Sequence, residues 1–418
     1  MNRSQLKTLI FIFCFLLMGV RLFNIPATER DHVYGDGYSD INTISAARFF
    51  HDSGFVKTAF LPVHGYPESH PTKVYTHYPA LPDIIDGFTA TVLNSNDERV
   101  LRLFPFLLSI FFFFLIYRVL NDLTKNAKNA FIGASLLVLS NYFIAWGDNL
   151  HQHLYAELVK WLFIGLLYRY QESKRESSTS FIGLLVLMII AVNISFELPV
   201  FLGVASVGFA IIFQKNIFTR ETFGLFAALL FGFGLHILQN VLYFDSLDLA
   251  LEDMKNAFVF RTTGAEDVGY TPEKPFSILH DGWKIPIEWF NRMERYYVLP
   301  GWFLLVTCYW SIPQLRIKNP RLFSIVIALF IASIAWGFVM PQHAYVHLFT
   351  NKHFGLWVGL IMCISLPFYW NVVKQHFYQQ NKAMMFLHVA LVGYALIMFI
   401  TQQVVGLWWK HGFNVLVS

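Results

Sequence analysis

The sequence predicts an all-α integral membrane protein, a polytopic helix bundle of about eleven transmembrane helices. Three observations carry this reading. Of 418 residues, 56% are hydrophobic and only 14% are charged, with a mean hydropathy of +0.48, whereas a soluble domain carries about a quarter charged residues. Apolar runs recur at roughly the 17 to 25 residues that a bilayer crossing needs. Lys and Arg collect in alternate short loops between those runs, the signature of a topology set by cytoplasmic positive charge. A soluble class is thereby excluded. The net charge of +4 does not indicate nucleic acid, because the basic residues form no stripe.

The runs cover 6–25, 100–120, 129–146, 153–170, 181–196, 198–213, 224–244, 296–311, 323–340, 354–372 and 384–405. The first follows Arg3 and Lys7 and lacks a small-x-small cleavage site, so it reads as an uncleaved anchor with a cytoplasmic N-terminus. The runs meeting at Glu197 and Pro199 are short, and two spans or a re-entrant hairpin both fit. Lys125 with Lys128, Lys174 with Arg175, Lys215 with Arg220, Arg316 with Lys318 and Arg321, and Lys374 with Lys382 all fall on one side. Of the alternate loops, 147–152 has no basic residue and 341–353 has only Lys352. The tail 406–418 and two long loops, 26–99 and 245–295, then lie outside, within one domain spanning 1–418. Loops this long usually carry function. Cys14, Cys308 and Cys363 sit inside apolar runs and imply neither a disulfide framework nor a zinc site.

In the first outer loop, Ser39 is the N-cap candidate, Ile41, Ile44, Ala47 and Phe50 or His51 recur near helical spacing, and Gly54 is a stop. This predicts an amphipathic surface helix with Asp40 in its first turn, where the helix dipole favours the ionised carboxylate. The segment Val74-Tyr75-Thr76-His77-Tyr78-Pro79-Ala80-Leu81-Pro82-Asp83 reads as extended, with a second helix starting at Pro82.

These features, with Ala46-Ala47 before Gly54 and Arg99 or Arg102 leading into the second run, resemble the membrane glycosyltransferases of the GT-C fold. The nearest in appearance are bacterial relatives of the protein O-mannosyltransferases and of the lipid A aminoarabinose transferase. The resemblance covers roughly the first two hundred residues. It implies inverting transfer of a sugar from a polyprenyl-phosphate carrier to a glycan, lipid or protein acceptor on the outer side of a bacterial inner membrane. The family often has Asp-Glu where this chain has Asp40-Ile41, so Asp36 and Asp40 both remain candidates for its catalytic acid. Asp40 is preferred for its distance to Gly54.

The residues support the same chemistry. Transfer to a hydroxyl needs a base, and Asp40 or Asp36 supplies a carboxylate. The phosphate leaving group needs cations or donors. Asp148, in Gly147-Asp148-Asn149-Leu150-His151-Gln152-His153, is the acid expected to join Asp40, orienting the acceptor or holding a divalent cation with Asp40 and His151. Tyr75, His77, Tyr78, Glu197, His343 and His347 are substrate-binding candidates, and Lys352, the outer cation, suits the carrier phosphate, supplemented by Arg261 or Lys284. Glu157 and Lys160 lie in the fourth run, where ionisable residues signal a role or a partner. The abundant Phe residues suit a polyprenyl groove or a lipid-facing surface equally. No Gly-rich phosphate loop precedes a helix. An O-antigen polymerase or ligase, relying on outer Arg and His, and a lipid-linked sugar flippase are the alternatives.

Overall fold

A computed structural model describes residues 36–67, 73–263, 277–297 and 301–401, with a few isolated positions ahead of them. Most of the anchor expected over 6–25 and all of the tail 406–418 lie outside the described residues, as does the side chain of Arg261.

Helix α1 spans Gly37–Ser53. Its cap is Asp36 rather than Ser39, because the Asp36 carboxylate accepts from Ser39 N at 3.1 Å and satisfies a first-turn donor. Gly54, at φ 80°, ends it in a conformation that side chains disfavour. Thr43 through Ala47 are buried in succession, with Phe49 and Phe50. The helix is therefore embedded, and the expected amphipathic surface helix is not what forms. Its small polar residues are satisfied internally: Ser45 Oγ donates to Val63 O at 3.0 Å and accepts from Tyr66 N at 2.6 Å. Two short strands, β1 (Val63–His64) and β2 (Lys73–Val74), pair antiparallel beside it. Helix α2 covers Leu81–Leu93 with Pro82 in its first turn. It lies so close to α1 that a Cβ on Gly87 would stand 2.6 Å from Phe50 Cδ2.

The bundle follows with α3 (Glu98–Thr124), α4 (Ala127–Val138), α5 (Asn141–Ile144), α6 (Gln152–Glu172), α7 (Ser178–Ile194), α8 (Glu197–Gln214) and α9 (Arg220–Phe244). The second long loop supplies α10 (Leu247–Thr263), α11 (Ile278–Asp281) and α12 (Lys284–Tyr296). Then come α13 (Gly301–Lys318), α14 (Pro320–Ile334), α15 (Trp336–Val339), α16 (Pro341–Val346), a 3-10 segment (Leu348–Phe354), α17 (Gly355–Tyr378) and α18 (Lys382–Ile400).

Among the described residues, five helices are long and apolar enough to cross a membrane: Glu98–Thr124, Glu197–Gln214, Arg220–Phe244, Pro320–Val339 and Phe349–Tyr378. The count of eleven is not reached, for local reasons. The run 129–146 is divided between α4 and α5, the run 153–170 carries buried Glu157 and Lys160, and the run 181–196 folds as a 17-residue helix. The chain at Glu197 forms two helices, α7 and α8, joined through Ser195 and Phe196. One apolar core, containing Phe112, Trp161, Phe163, Phe201 and Leu360, runs through the bundle.

The turns after α3, α6, α8 and α13 gather at one end, where Glu172 pairs with Lys125 at 3.8 Å and with Arg321 at 2.6 Å, and Arg175 pairs with Glu221 at 3.8 Å. Gln214 donates to Gln171 there at 3.1 Å. This is the basic end of the bundle. Since α3 has 27 residues, its first turn lies about 40 Å away, at the opposite end.

Candidate functional site

At that opposite end α1, α2, the start of α3, the 146–153 turn and the 341–354 segment converge. Arg102, on the first turns of α3, is the pivot and has 0% exposure. Its Nη2 donates to Asp40 Oδ2 at 2.8 Å, its Nε to Glu98 Oε1 at 2.8 Å and its Nη1 to the Asp148 carbonyl at 3.1 Å. The Asp148 carboxylate stands 3.9 Å from Nη1. Asp40 Oδ1 accepts from Asn149 Nδ2 at 2.7 Å and Leu150 N at 2.9 Å. Asp40 and Asp148 thus meet, and what they share is a guanidinium.

A divalent cation on Asp40, Asp148 and His151 does not fit this arrangement. Both Asp40 oxygens already take donors, and Arg102 stands where a cation would. His151 Nδ1 instead lies 3.1 Å from Thr43 Oγ1 and 4.0 Å from Asp83 Oδ1. Among the described residues, no group of three His, Cys, Asp or Glu side chains is arranged to hold a metal.

Asp36 has a different environment. Its Oδ2 accepts from Ser39 Oγ at 2.6 Å and lies 3.3 Å from His153 Nε2. Burial by itself would raise its pKa, but the His153 and Ser39 contacts outweigh it and hold the carboxyl below the usual carboxylate range. The His153 ring meets Trp146 edge-on, with centroids 4.5 Å apart. Lys352 Nζ lies 4.1 Å from the centre of the Trp146 ring and 5.5 Å from that of Phe349. It is buried and makes no hydrogen bond among the described residues. Asp36, His153, Trp146 and Lys352 therefore form one contiguous row.

The segment carrying Lys352 is fixed from outside. From α12, Arg292 Nη1 donates to the carbonyls of Ala344 at 2.9 Å and His347 at 2.8 Å, and Nη2 donates to Tyr345 O. Asn351 donates to Trp289 O at 2.8 Å and its carbonyl accepts from Tyr297 OH at 2.7 Å. The Lys352 carbonyl accepts from Lys160 Nζ at 3.0 Å, and Lys160 itself pairs with Glu157. Glu197 lies behind, 2.9 Å from His353 Nε2 and 3.5 Å from His343 Nδ1. The rings of His343 and His347 are 4.3 Å apart.

The remaining candidates divide. Tyr78 reaches the site, with its ring 5.6 Å from Phe196 and 6.0 Å from His151. Tyr75 turns away and stacks on His64 at 4.4 Å. His77 and Thr76 hold α10, lying 2.9 Å and 2.6 Å from the Asp253 carboxylate, and Lys284 pairs with Asp281. Between this strap and the bundle lies a cavity of about 200 Å³, lined by Tyr78, Phe196, Phe233, Met254, Trp336 and Met340 among others.

Two further acids were not singled out by sequence. Asp83 and Asp86, on α2, are buried. Asp86 Oδ1 accepts from Tyr155 OH at 3.4 Å, while Asp83 Oδ1 and Asp86 Oδ2 have no hydrogen-bond partner among the described residues. Burial raises both pKa values, and the neighbouring Asp83 and Asp40 push Asp86 further. Two acids three residues apart in an otherwise apolar helix were the available signal. Arg292, the clamp on the late segment, offered none beyond its charge.

No family model matches the sequence, and no curated protein matches it. Among solved structures, the chain is similar to the archaeal oligosaccharyltransferase AglB from Archaeoglobus fulgidus in complex with an inhibitory peptide and a dolichol-phosphate. The TM-score is 0.53 and the identity 11%, over 96% of this chain and 56% of that one. Crystal structures of the Archaeoglobus fulgidus oligosaccharyltransferase with Zn and sulfate, and tethered with an acceptor peptide containing the NVT sequon, give TM-scores of 0.49 and 0.47 at 12% identity. They are covered over 53% and 55% of their length, by 94% and 96% of this chain. The chain thus spans little more than half of these proteins, and at such identity the likeness is one of fold: the chain has the GT-C-like membrane fold of the archaeal oligosaccharyltransferase.

Proposed function

We propose that the chain is a glycosyltransferase that moves a sugar, with inversion, from a polyprenyl-phosphate carrier to an acceptor hydroxyl at the acid-bearing, extracytoplasmic face of a bacterial plasma membrane. The observation that carries this reading is the row from Asp36 through His153 and Trp146 to Lys352. It pairs an ionised carboxylate–imidazole couple with a buried amine that has no hydrogen-bond partner among the described residues.

Each end has a task in the reaction. The acceptor oxygen bonds to the anomeric carbon from the face opposite the phosphate, the bond from that carbon to the phosphate oxygen breaks, and the electron pair leaves on the phosphate. The hydroxyl proton passes to the Asp36–His153 pair, the carboxylate stabilising the imidazolium that forms. Lys352 meets the charge that grows on the phosphate in a site shielded from water, where such a contact counts most. Asp40, the sequence-preferred base, already accepts from three donors, one of them the Arg102 guanidinium, so the role moves to Asp36 and Asp40 becomes the anchor of Arg102. The 200 Å³ cavity beside Tyr78 suits the first isoprene units of the carrier. The likeness to a protein solved with a dolichol-phosphate supports the lipid-linked donor.

The test uses the purified chain in lipid nanodiscs with a panel of polyprenyl-phosphate hexoses and measures release of polyprenyl phosphate. Lys352→Gln is expected to reduce release by at least about 100-fold, the scale of losing one oriented electrostatic contact in a transition state. Release at the parent rate from Lys352→Gln would remove the phosphate role.

A further inference from the structure

A second cavity lies at the opposite, basic end of the bundle, about 40 Å from the acids by the length of α3. It has a volume of about 260 Å³ and opens between the α3–α4 turn, the α13–α14 turn and the part of α17 around Pro367. Its polar lining is Thr124, Asn126, Asn129 and Asn371; the rest is apolar, including Leu315, Leu322, Ile364 and Phe368. No acidic side chain lines it. Pro367, also in the lining, sits inside α17 and, lacking an N–H, cannot bond the carbonyl four residues back, which belongs to Cys363, another lining residue.

The surroundings set the charge of a ligand. Lys318 Nζ lies 5.3 Å from the centre of the Phe368 ring, which forms part of the wall. Lys125 and Lys128 flank Asn126 in the chain and are exposed. The nearby acid, Glu172, is already taken by Lys125 and Arg321. Ile317 and Trp370, the chain neighbours of Lys318 and Asn371, are 79% and 58% exposed and give this end of the bundle an apolar surface. Carboxamides and a hydroxyl suit a polyol, lysines suit a phosphodiester, and an apolar surface on a membrane helix suits acyl chains. Basic pockets between membrane helices recognise anionic lipid head groups on the same grounds.

We propose that this cavity binds the head group of an anionic glycerophospholipid, its phosphodiester at Lys318 and its free hydroxyls on Asn126, Asn129 and Asn371. The inference is independent of the transferase reading, since the two sites lie at opposite ends of the bundle. A soluble glycerol phosphate shares the polar chemistry, but it would leave the apolar surface without a partner.

The test compares thermal unfolding of the full chain in phosphatidylcholine nanodiscs with and without phosphatidylglycerol, together with native mass spectrometry of the phosphatidylglycerol retained after detergent extraction. The parent is expected to melt higher with phosphatidylglycerol and to retain it. Lys318→Gln, at an exposed position, and the double variant Asn129→Leu with Asn371→Leu are expected to lose both effects while melting as the parent does in phosphatidylcholine. If the double variant does not fold, Lys318→Gln carries the same comparison. An undiminished phosphatidylglycerol shift in Lys318→Gln would mean annular lipid only and overturn the proposal. A shift reproduced by soluble glycerol 1-phosphate in phosphatidylcholine would overturn the lipid as the ligand.

Discussion

Asp40→Asn separates an anchoring aspartate from a catalytic one. From the sequence the exchange should cost the fold little, since Asn keeps the size and capping capacity of Asp. In the fold Asp40 accepts from Arg102 on one oxygen and from Asn149 and Leu150 on the other. An amide has one oxygen, so an NH2 group must face either the guanidinium or two N–H donors. Arg102 stays at 0% exposure with a weakened counter-charge, and removing one partner from a buried pair typically costs about 3 to 5 kcal/mol. Because Glu98 and the Asp148 carbonyl still hold Arg102, about 3 kcal/mol is the better figure. For a chain of 418 residues the unfolding entropy makes this about 1 °C per kcal/mol, so Tm falls by about 3 °C. The measurement is thermal unfolding of purified protein in detergent, with Arg102→Gln and the double variant closing a mutant cycle. An Asp40→Asn protein that melts within about 1 °C of the parent would refute the reasoning, and the anchoring role would fall with it.

Asp36→Asn should do the reverse, reducing transfer by at least about 100-fold with a smaller loss of Tm than Asp40→Asn; a Tm series and a donor-turnover assay on the same preparations decide. Because the Asp36 pKa is depressed in the fold, its contribution to stability is present above the unfolded carboxylate pKa and is lost as pH falls below it, so the Asn variant should show a shallower acid-side decline in Tm. Asp86 has the opposite sign: its pKa is raised by burial, Asp83 and Asp40, so the fold is favoured at low pH and loses stability as pH rises from the unfolded value toward the folded one. Asp86→Asn should therefore raise Tm at neutral pH and leave it unchanged below about pH 4, and equal pH profiles would contradict a protonated Asp86. Arg292→Met should free the 341–354 segment and raise KM for the lipid donor more than it lowers kcat; proteolysis within that segment provides a second readout.

Local signals were read well where the local chain decides the structure. Gly54 ends α1 because its φ of 80° is open to glycine, and Pro82 starts α2 because a first-turn proline sacrifices no hydrogen bond. Lys352 stood out as the one cation in its loop, and in the fold it lies over the Trp146 ring. Apart from the α1 cap, which is Asp36 and not the expected Ser39, the sequence was least informative where contacts distant in sequence decide. Arg102 and Asp40 are 62 residues apart, and an Arg early in an apolar run announces that it needs a partner without naming one. Spacing favoured Asp40 over Asp36, and it could not show that the 146–153 turn puts Asn149 and Leu150 on Asp40 and His153 beside Asp36. The span count is met only in part among the described residues: the buried Glu157–Lys160 pair is satisfied by Tyr142 and the Lys352 carbonyl, partners that hydropathy does not register, and the break between α4 and α5 closes on local bonds from Ser140 to Leu137.

The acids of this site also have a collective logic. Asp36, Asp40, Asp83 and Asp86 are buried at one end of the bundle, and two like charges about 5 Å apart repel by about 3 kcal/mol at an effective dielectric of 20. Four ionised carboxylates there would oppose an incoming phosphate before any contact formed. The fold avoids this by sorting them. Asp40 is ionised against Arg102, Asp36 is ionised against His153 and Ser39, and Asp83 and Asp86 are pushed toward their neutral forms. Two of the four are thereby held as charged partners of Arg102 and of His153 with Ser39, and the other two are not. This explains why Asp83 and Asp86 are tolerated without full hydrogen bonding. Asp86 lies within the field of Asp83 and Asp40, so its protonation relieves the repulsion among the three acids themselves.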